Sequence, residues 1–295
     1  MNTEMLEIVI TRKGFIAALD QSGGSSSKTL ALYGIGEDKY NSEEEMFDLI
    51  HEMRKRVITS KEFTSEYILG TILFEKTMNS KIEDKYTADY LWENKNIVSF
   101  LKVDKGLKEE ENGVKLMKDI PGLVDTLKLA KERNIFGTKM RSVIYEANRE
   151  GIKQIVDQQF EIAKIICQNG LVPIIEPEVD INSKEKELCE QILKEEIIMH
   201  LLNWNPEFKI MFKFTIPSVP NYYFDLNNYD FIIRIVALSG GYTNDKACAL
   251  LALNNKMIAS FSRALLEGLN VNQTQEEFDE MLSNSIKKIY EASTT

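Results

Sequence analysis

Short apolar runs alternate with longer amphipathic stretches along the chain. The runs are "GFIAALD" (14–20), "YILGTILF" (67–74), "IVSFLKVD" (97–104), "IFGTKMRSV" (135–143), "LVPIIEPEV" (171–179), "FKIMFKFTI" (208–216), "FIIRIVALSGG" (231–241) and "MIASFSRAL" (257–265). Each is bounded by polar or turn residues and is rich in branched or aromatic side chains, as buried strands are. Helical spacing fills most of the gaps. Ile152, Ile155, Val156, Gln159, Ile162, Ala163 and Ile166 share one face, and Gly170 marks the stop. Pro121 opens a stripe of Leu123, Leu127 and Ala130, and Phe278, Leu282, Ile286 and Ile289 form another near the C-terminus. "PSVPNYYFDLNNYD" after the sixth run is short and aromatic, which predicts an irregular helix there.

Eight buried strands alternating with helices predict an α/β protein, a (β/α)8 TIM barrel in a single domain spanning 1–295. A doubly wound open sheet is the competitor. It is disfavoured because no G-x-G-x-x-G fingerprint follows the first run. No Pro/Gly/Ser linker divides the chain, and the Gly/Ser-rich "SGGSSSK" (22–28) follows a strand directly, as a functional loop would.

The polar residues fall at the C-terminal ends of these runs: Asp20, Lys102 with Asp104, Lys139 with Arg141, Glu176 with Glu178, Lys213, then Ser239, Gly240 and Gly241, and finally Ser262 and Arg263. In a barrel these ends converge on the face that carries the active site. Residues two apart on a strand point the same way, so Lys139 and Arg141 share a side, as do Glu176 and Glu178.

Composition narrows the partners. The 295 residues carry 36 Lys plus Arg against 46 Asp plus Glu, a formal charge of −10, which argues against bulk nucleic-acid binding. No apolar run approaches the ~18 residues of a membrane helix, and no signal peptide is expected at the N-terminus. Cys167, Cys189 and Cys248 are odd in number and widely spaced, which suits a reducing cytoplasm more than a disulfide frame. His51 and His200 stand in no zinc-binding spacing. Acidic residues are plentiful, so carboxylate-bound magnesium stays open on composition alone. Association into a homo-oligomer through apolar helix faces is also open.

The rim chemistry is that of an amine catalyst. Lysine is a nucleophile only as the free amine, which apolar walls and a neighbouring cation favour. A free amine condenses with a ketone, and the resulting iminium is an electron sink for breaking an adjacent C–C bond. Glu176 or Asp20 could shuttle the protons. Ser-Gly-Gly and Ser-Arg at adjacent strand ends suit a phosphate group. Each feature has a plainer reading alone: Lys213 as a structural ion-pair partner, Glu176 as the partner of Lys139, "LSGG" as a turn and "SGGSSS" as a flexible loop. Their convergence on one rim favours a site.

With those residues in view the chain resembles class I fructose-bisphosphate aldolase, the Schiff-base, metal-independent kind, in its shorter bacterial form. "GFIAALDQSGGS", "FLKVDKG", "TKMRSV", "VPIIEPEV", "MFKFTIP", "LSGGYTND" and "FSRAL" carry the likeness in order over about 250 residues. The resemblance implies reversible cleavage of fructose 1,6-bisphosphate, with no cofactor and no metal, in glycolysis and gluconeogenesis. It implies Lys213 as the Schiff-base lysine, Glu176 as general acid/base, Asp20 as the carboxylate assisting carbinolamine formation and cleavage, and Lys139 as the residue positioning Glu176. It places the ketone-side phosphate at Ser239, Gly240, Gly241, Ser262 and Arg263. It places the other phosphate near Lys102, Arg141, Ser22 and Ser25, with Glu178 supporting. Longer members have a basic residue where this chain has Thr29, and a tail ending in a proton-handling tyrosine that Tyr290 does not clearly match. The competing substrate is a C4 epimer such as tagatose 1,6-bisphosphate. A non-catalytic sugar-phosphate sensor or scaffold on the same barrel is the competing class.

Overall fold

The protein is described by a computed structural model covering residues 2–22 and 24–295, without the side chains of residues 24 and 25. Eight parallel strands form the barrel: β1 (Phe15–Leu19), β2 (Ile68–Leu73), β3 (Val98–Lys102), β4 (Ile135–Ile144), β5 (Val172–Val179), β6 (Ile210–Thr215), β7 (Ile232–Leu238) and β8 (Met257–Ala259), with a two-residue strand, Val114–Lys115, paired antiparallel to the end of β4. They pair in chain order. The Ala18 N–H donates to the Phe261 carbonyl at 3.0 Å, joining the first strand to the last and closing a (β/α)8 barrel.

The helices that alternate with them include α1 (Thr3–Thr11), α2 (Gly24–Leu32), α3 (Glu43–Thr59), α4 (Leu123–Glu132), α5 (Arg149–Gln168), α6 (Lys186–Leu201), α7 (Asn244–Leu251) and α8 (Gln275–Ala292). The connection after β6 is a 3-10 turn, Phe224–Asn228, in keeping with its short aromatic sequence. Capping follows local chemistry: Thr274 and Glu277 form a reciprocal box at the start of α8, and the Asn148 side chain accepts from the Gly151 N–H at the start of α5.

Strand alternation divides the core in two. Outward residues such as Phe212 and Phe214 of β6 pack beneath the helices, while Ile16, Ala18, Val98, Phe100, Val172, Ile174, Met211, Val236 and Ile258 fill the barrel interior. The register slips by one residue at Leu69, Phe136 and Ile233, which resets the inward parity of β2, β4 and β7. In β4 the slip turns Gly137, Lys139 and Arg141 inward. A Cβ on Gly137 would lie 2.8 Å from the Phe100 ring and 2.2 Å from the Val172 carbonyl, so only glycine fits there.

Three features depart from the sequence expectation. Helix α1 lies where no element was expected. Its buried Met5 and Val9 join the interior core, and Arg234 of β7 caps its last carbonyls at Val9, Ile10 and Arg12. It plugs the end of the barrel opposite the polar rim. The "SGGSSSK" segment is not an extended loop, since α2 begins inside it at Gly24. The eighth strand stops at Ala259 rather than running to Leu265, and Arg263 opens a short helix, Arg263–Leu266. Among the described residues no helix is long and apolar enough to cross a membrane.

Candidate active site

Lys213 is the inward residue of β6 one step above Met211, at the level where apolar filling gives way to polar side chains. It is 4% exposed. Its Nζ lies 3.1 Å from Glu176 Oε1 and makes no aligned hydrogen bond among the described residues. Glu176 comes from the neighbouring strand β5. Its other oxygen, Oε2, lies 3.1 Å from Lys139 Nζ of β4, again without hydrogen-bond alignment. Lys139 Nζ also pairs with Asp20 Oδ2, just past β1, at 2.7 Å, and stands 4.0 Å from Asp104 Oδ2. All five residues are buried.

The electrostatics lock the inner charges. Burial opposes the Lys139 ammonium, but the Asp20, Glu176 and Asp104 carboxylates outweigh it and hold the amine well above the ordinary lysine range. Burial likewise favours the neutral form of Asp20. Lys139, Lys213 and Lys102 overcome it and keep this carboxyl well below the usual carboxylate range. Lys139 is therefore a fixed cation and Asp20 a fixed anion near neutral pH.

A second ion pair joins β4 and β5 one step higher. Arg141 Nε donates to Glu178 Oε2 at 2.5 Å, and the Glu178 carboxylate with Arg141's hydrogen bond to it outweighs burial to raise the guanidinium further. Lys102 of β3 turns to Asp104 Oδ1 at 2.6 Å and to the Asp104 carbonyl at 3.0 Å. Arg141 and Lys102 stand at the mouth, outside the Lys213–Glu176–Lys139–Asp20 cluster. Ser22 is half-buried just past Asp20, and the Ser25 side chain lies outside the described residues.

The Ser-Gly-Gly turn after β7 has the backbone an anion site needs. Gly240 and Gly241 have φ of +61° and +111°, and their N–H groups make no hydrogen bond among the described residues. A Cβ on Gly240 would meet Ile181 at 2.5 Å. Arg263 Nη2 comes within 3.6 Å of where a Gly241 Cβ would be, and its guanidinium is exposed with no ion pair among the described residues. Ser239 is buried at the start of the turn, and Ser262 is half-buried beside it.

Four further residues were not singled out from sequence as parts of the site. Ser260 follows Ile258 in the inward alternation, is 1% exposed, and its Oγ has no hydrogen-bond partner among the described residues. Gln159 of α5 accepts from the Glu176 N–H at 2.9 Å and donates to Ser142 Oγ at 3.1 Å, which pins β5 at Glu176. As the one amide on an apolar helical stripe, it was visible as an anomaly. Gln21 and Arg54 complete the set. Arg54 is buried in α3, and burial lowers its guanidinium to about 10 against the pull of Asp20. Tyr290 packs edge-on against Tyr67, the residue before β2, and so sits at the opposite end of the barrel from Lys213.

Residues 2–216 match the model of the glycolytic family described as fructose-bisphosphate aldolase class-I. The chain belongs to this family. Fructose-bisphosphate aldolase class 1 of Clostridium acetobutylicum is 60% identical over 295 residues, covering all of both chains. Fructose-bisphosphate aldolase of Plasmodium falciparum, solved in complex with TRAP and a small-molecule inhibitor, superposes with a TM-score of 0.76 at 20% identity, over 99% of this chain and 94% of that one. That likeness supports the barrel. This aldolase is accordingly a lyase of the metal-independent class, whose characteristic mechanism runs through a Schiff base.

Proposed function

We propose that Lys213 is the Schiff-base lysine through which this aldolase reversibly cleaves fructose 1,6-bisphosphate to dihydroxyacetone phosphate and glyceraldehyde 3-phosphate. One observation carries the assignment: a buried lysine amine 3.1 Å from Glu176, with Glu176 and Asp20 both held by the Lys139 cation. The free amine attacks the C2 carbonyl. Glu176 Oε1 accepts a proton from the nitrogen and passes it to the former carbonyl oxygen; a second proton, taken from solvent through Glu176 and given back at the final hydrolysis, makes that hydroxyl leave as water and the iminium forms. The C4 hydroxyl then gives up its proton to the carboxylate pair of Glu176 and Asp20. The C3–C4 electron pair flows into the iminium, releasing the aldehyde and leaving an enamine on Lys213. Protonation at C3 and hydrolysis return the amine. Lys139 contributes a fixed positive charge beside the alkoxide-like transition state and orients Glu176.

The turn at Ser239–Gly241 with Ser262 and Arg263 takes the ketone-side phosphate. Lys102, Arg141, Ser22 and Ser25 take the other, with Glu178 aligning Arg141. Ser260, inward and without a partner among the described residues, lies within the same rim. The three free thiols and the family's glycolytic role support a cytoplasmic location. Met199 and Leu202, 61% and 67% exposed at the end of α6, offer apolar surface for association of copies. Sedimentation at micromolar concentration tests that last point, and a monomer mass there rules it out.

Steady-state cleavage tests the residue roles. Lys213→Met should abolish turnover, Glu176→Gln should lower kcat by about a hundredfold or more, and a chelator should leave the parent rate unchanged. Retention of normal turnover by Lys213→Met overturns the assignment.

A further inference from the structure

Arg54 lies in α3, outside the Lys213 cluster, yet the residue is only 1% exposed and its guanidinium reaches the first loop. Nη1 donates to Thr77 Oγ1 at 2.6 Å. Nη2 donates to the Gln21 carbonyl at 2.6 Å and to Gln21 Oε1 at 3.1 Å. Gln21 Nε2 in turn donates to Ser262 Oγ at 2.6 Å. This chain of contacts runs from α3, through the residue after Asp20, to the Ser-Arg pair after β8.

The polarity of that chain is forced. A guanidinium only donates, so the oxygen of the Gln21 carboxamide must face Arg54 and its nitrogen must face Ser262. Ser262 Oγ therefore accepts from Gln21, and its own O–H proton is left to donate elsewhere. A phosphate dianion only accepts, so a hydroxyl that accepts from Gln21 and keeps its own proton unspent is a prepared donor for it. We infer that Arg54 and Gln21 are positioning residues that fix the hydrogen-bond polarity of Ser262, keeping it a donor to the ketone-side phosphate of the substrate. The inference rests on the reading of Ser239–Gly241 with Ser262 and Arg263 as that phosphate site. Gln21, rather than a carboxylate, is required at its position, because a glutamate would accept the Ser262 proton and place a like charge beside the phosphate.

The test compares borohydride trapping on the intact protein of dihydroxyacetone phosphate with trapping of dihydroxyacetone, which lacks the phosphate. The ratio of the two second-order trapping rates reports the phosphate contacts, whereas general damage to the site lowers both rates together. Gln21→Glu is the informative variant, because Arg54 gains a carboxylate partner and nothing buried is orphaned. It should lower the ratio about tenfold or more, the scale of a hydrogen bond to a charged group. Ser262→Ala should lower it similarly, and the double variant should lose less than the product of the two. Arg54→Lys, which removes the forked contact to Gln21, should lower it in the same direction. An unchanged ratio in Gln21→Glu beside a lowered one in Ser262→Ala overturns the inference and leaves the phosphate site standing. An unchanged ratio in Ser262→Ala as well overturns the phosphate assignment of Ser262 and the inference with it.

Discussion

Removing the Lys139 ammonium exposes how the centre is held together. Its Nζ stands 2.7 Å from Asp20 and 3.1 Å from Glu176. At an effective dielectric of about 20, unit charges at those distances attract by about 6 and 5 kcal/mol. Desolvating the three ions offsets most of that attraction, so the pairs add little to net stability. Loss of the cation alone is different, since it leaves buried carboxylates uncompensated and costs about 3–5 kcal/mol. The pH dependence follows from Asp20, whose carboxyl is held well below the usual range. A depressed carboxyl contributes stability above its unfolded value of about 3.9 and loses it as the pH falls toward its folded value. In Lys139→Met that contribution is gone at neutral pH, and the strained carboxylates relieve themselves by taking up protons as the pH drops. Urea unfolding of Lys139→Met should therefore show a deficit of about 3–5 kcal/mol near pH 7 that narrows toward pH 4. A deficit under about 1 kcal/mol near pH 7, or one that widens with acid, refutes this account of the cluster.

Three further outcomes follow from the same geometry. Asp20→Asn should lower kcat across the whole pH range without moving the acid limb of the profile, since a carboxyl held this low does not titrate there; a shifted limb assigns that limb to Asp20. Gln159→Leu should destabilise by about 1–3 kcal/mol in denaturant melts, through the unpaired Glu176 N–H and Ser142 hydroxyl, and should lower kcat more than it changes KM. Tyr290→Phe should retain the parent kcat, because its ring packs on Tyr67 at the far end of the barrel; a tenfold loss would place the C-terminus in the chemistry after all.

The barrel was legible in the sequence because each strand is a short apolar run with a polar end, and period-two alternation carries that end inward. Lys139 with Arg141 and Glu176 with Glu178, each pair two residues apart, form two rungs of ion pairs between β4 and β5, with the slip at Phe136 turning the β4 pair inward. What escaped depends on contacts between distant segments. The one-residue slips at Leu69, Phe136 and Ile233 reset which residues face inward, and no local signal marks them. Helix α1 is a plug whose apolar face has meaning only beneath a closed barrel. Nothing in "HEMRKRV" separates the buried Arg54 from its neighbour Lys55, because its partner Gln21 lies 33 residues away. Ser260 carries no local signal because the eighth run reads as continuous strand through Leu265, which hides the point at which the chain turns over the rim.

The central claim is that the buried amine of Lys213 bonds covalently to the substrate ketone. Reduction with borohydride in the presence of dihydroxyacetone phosphate, followed by proteolysis and mass spectrometry, tests it directly. The account predicts a single reduced adduct on the peptide containing Lys213, absent in Lys213→Met and formed equally well with chelator present. An adduct on another lysine, or irreversible loss of activity without any adduct on Lys213, would contradict it.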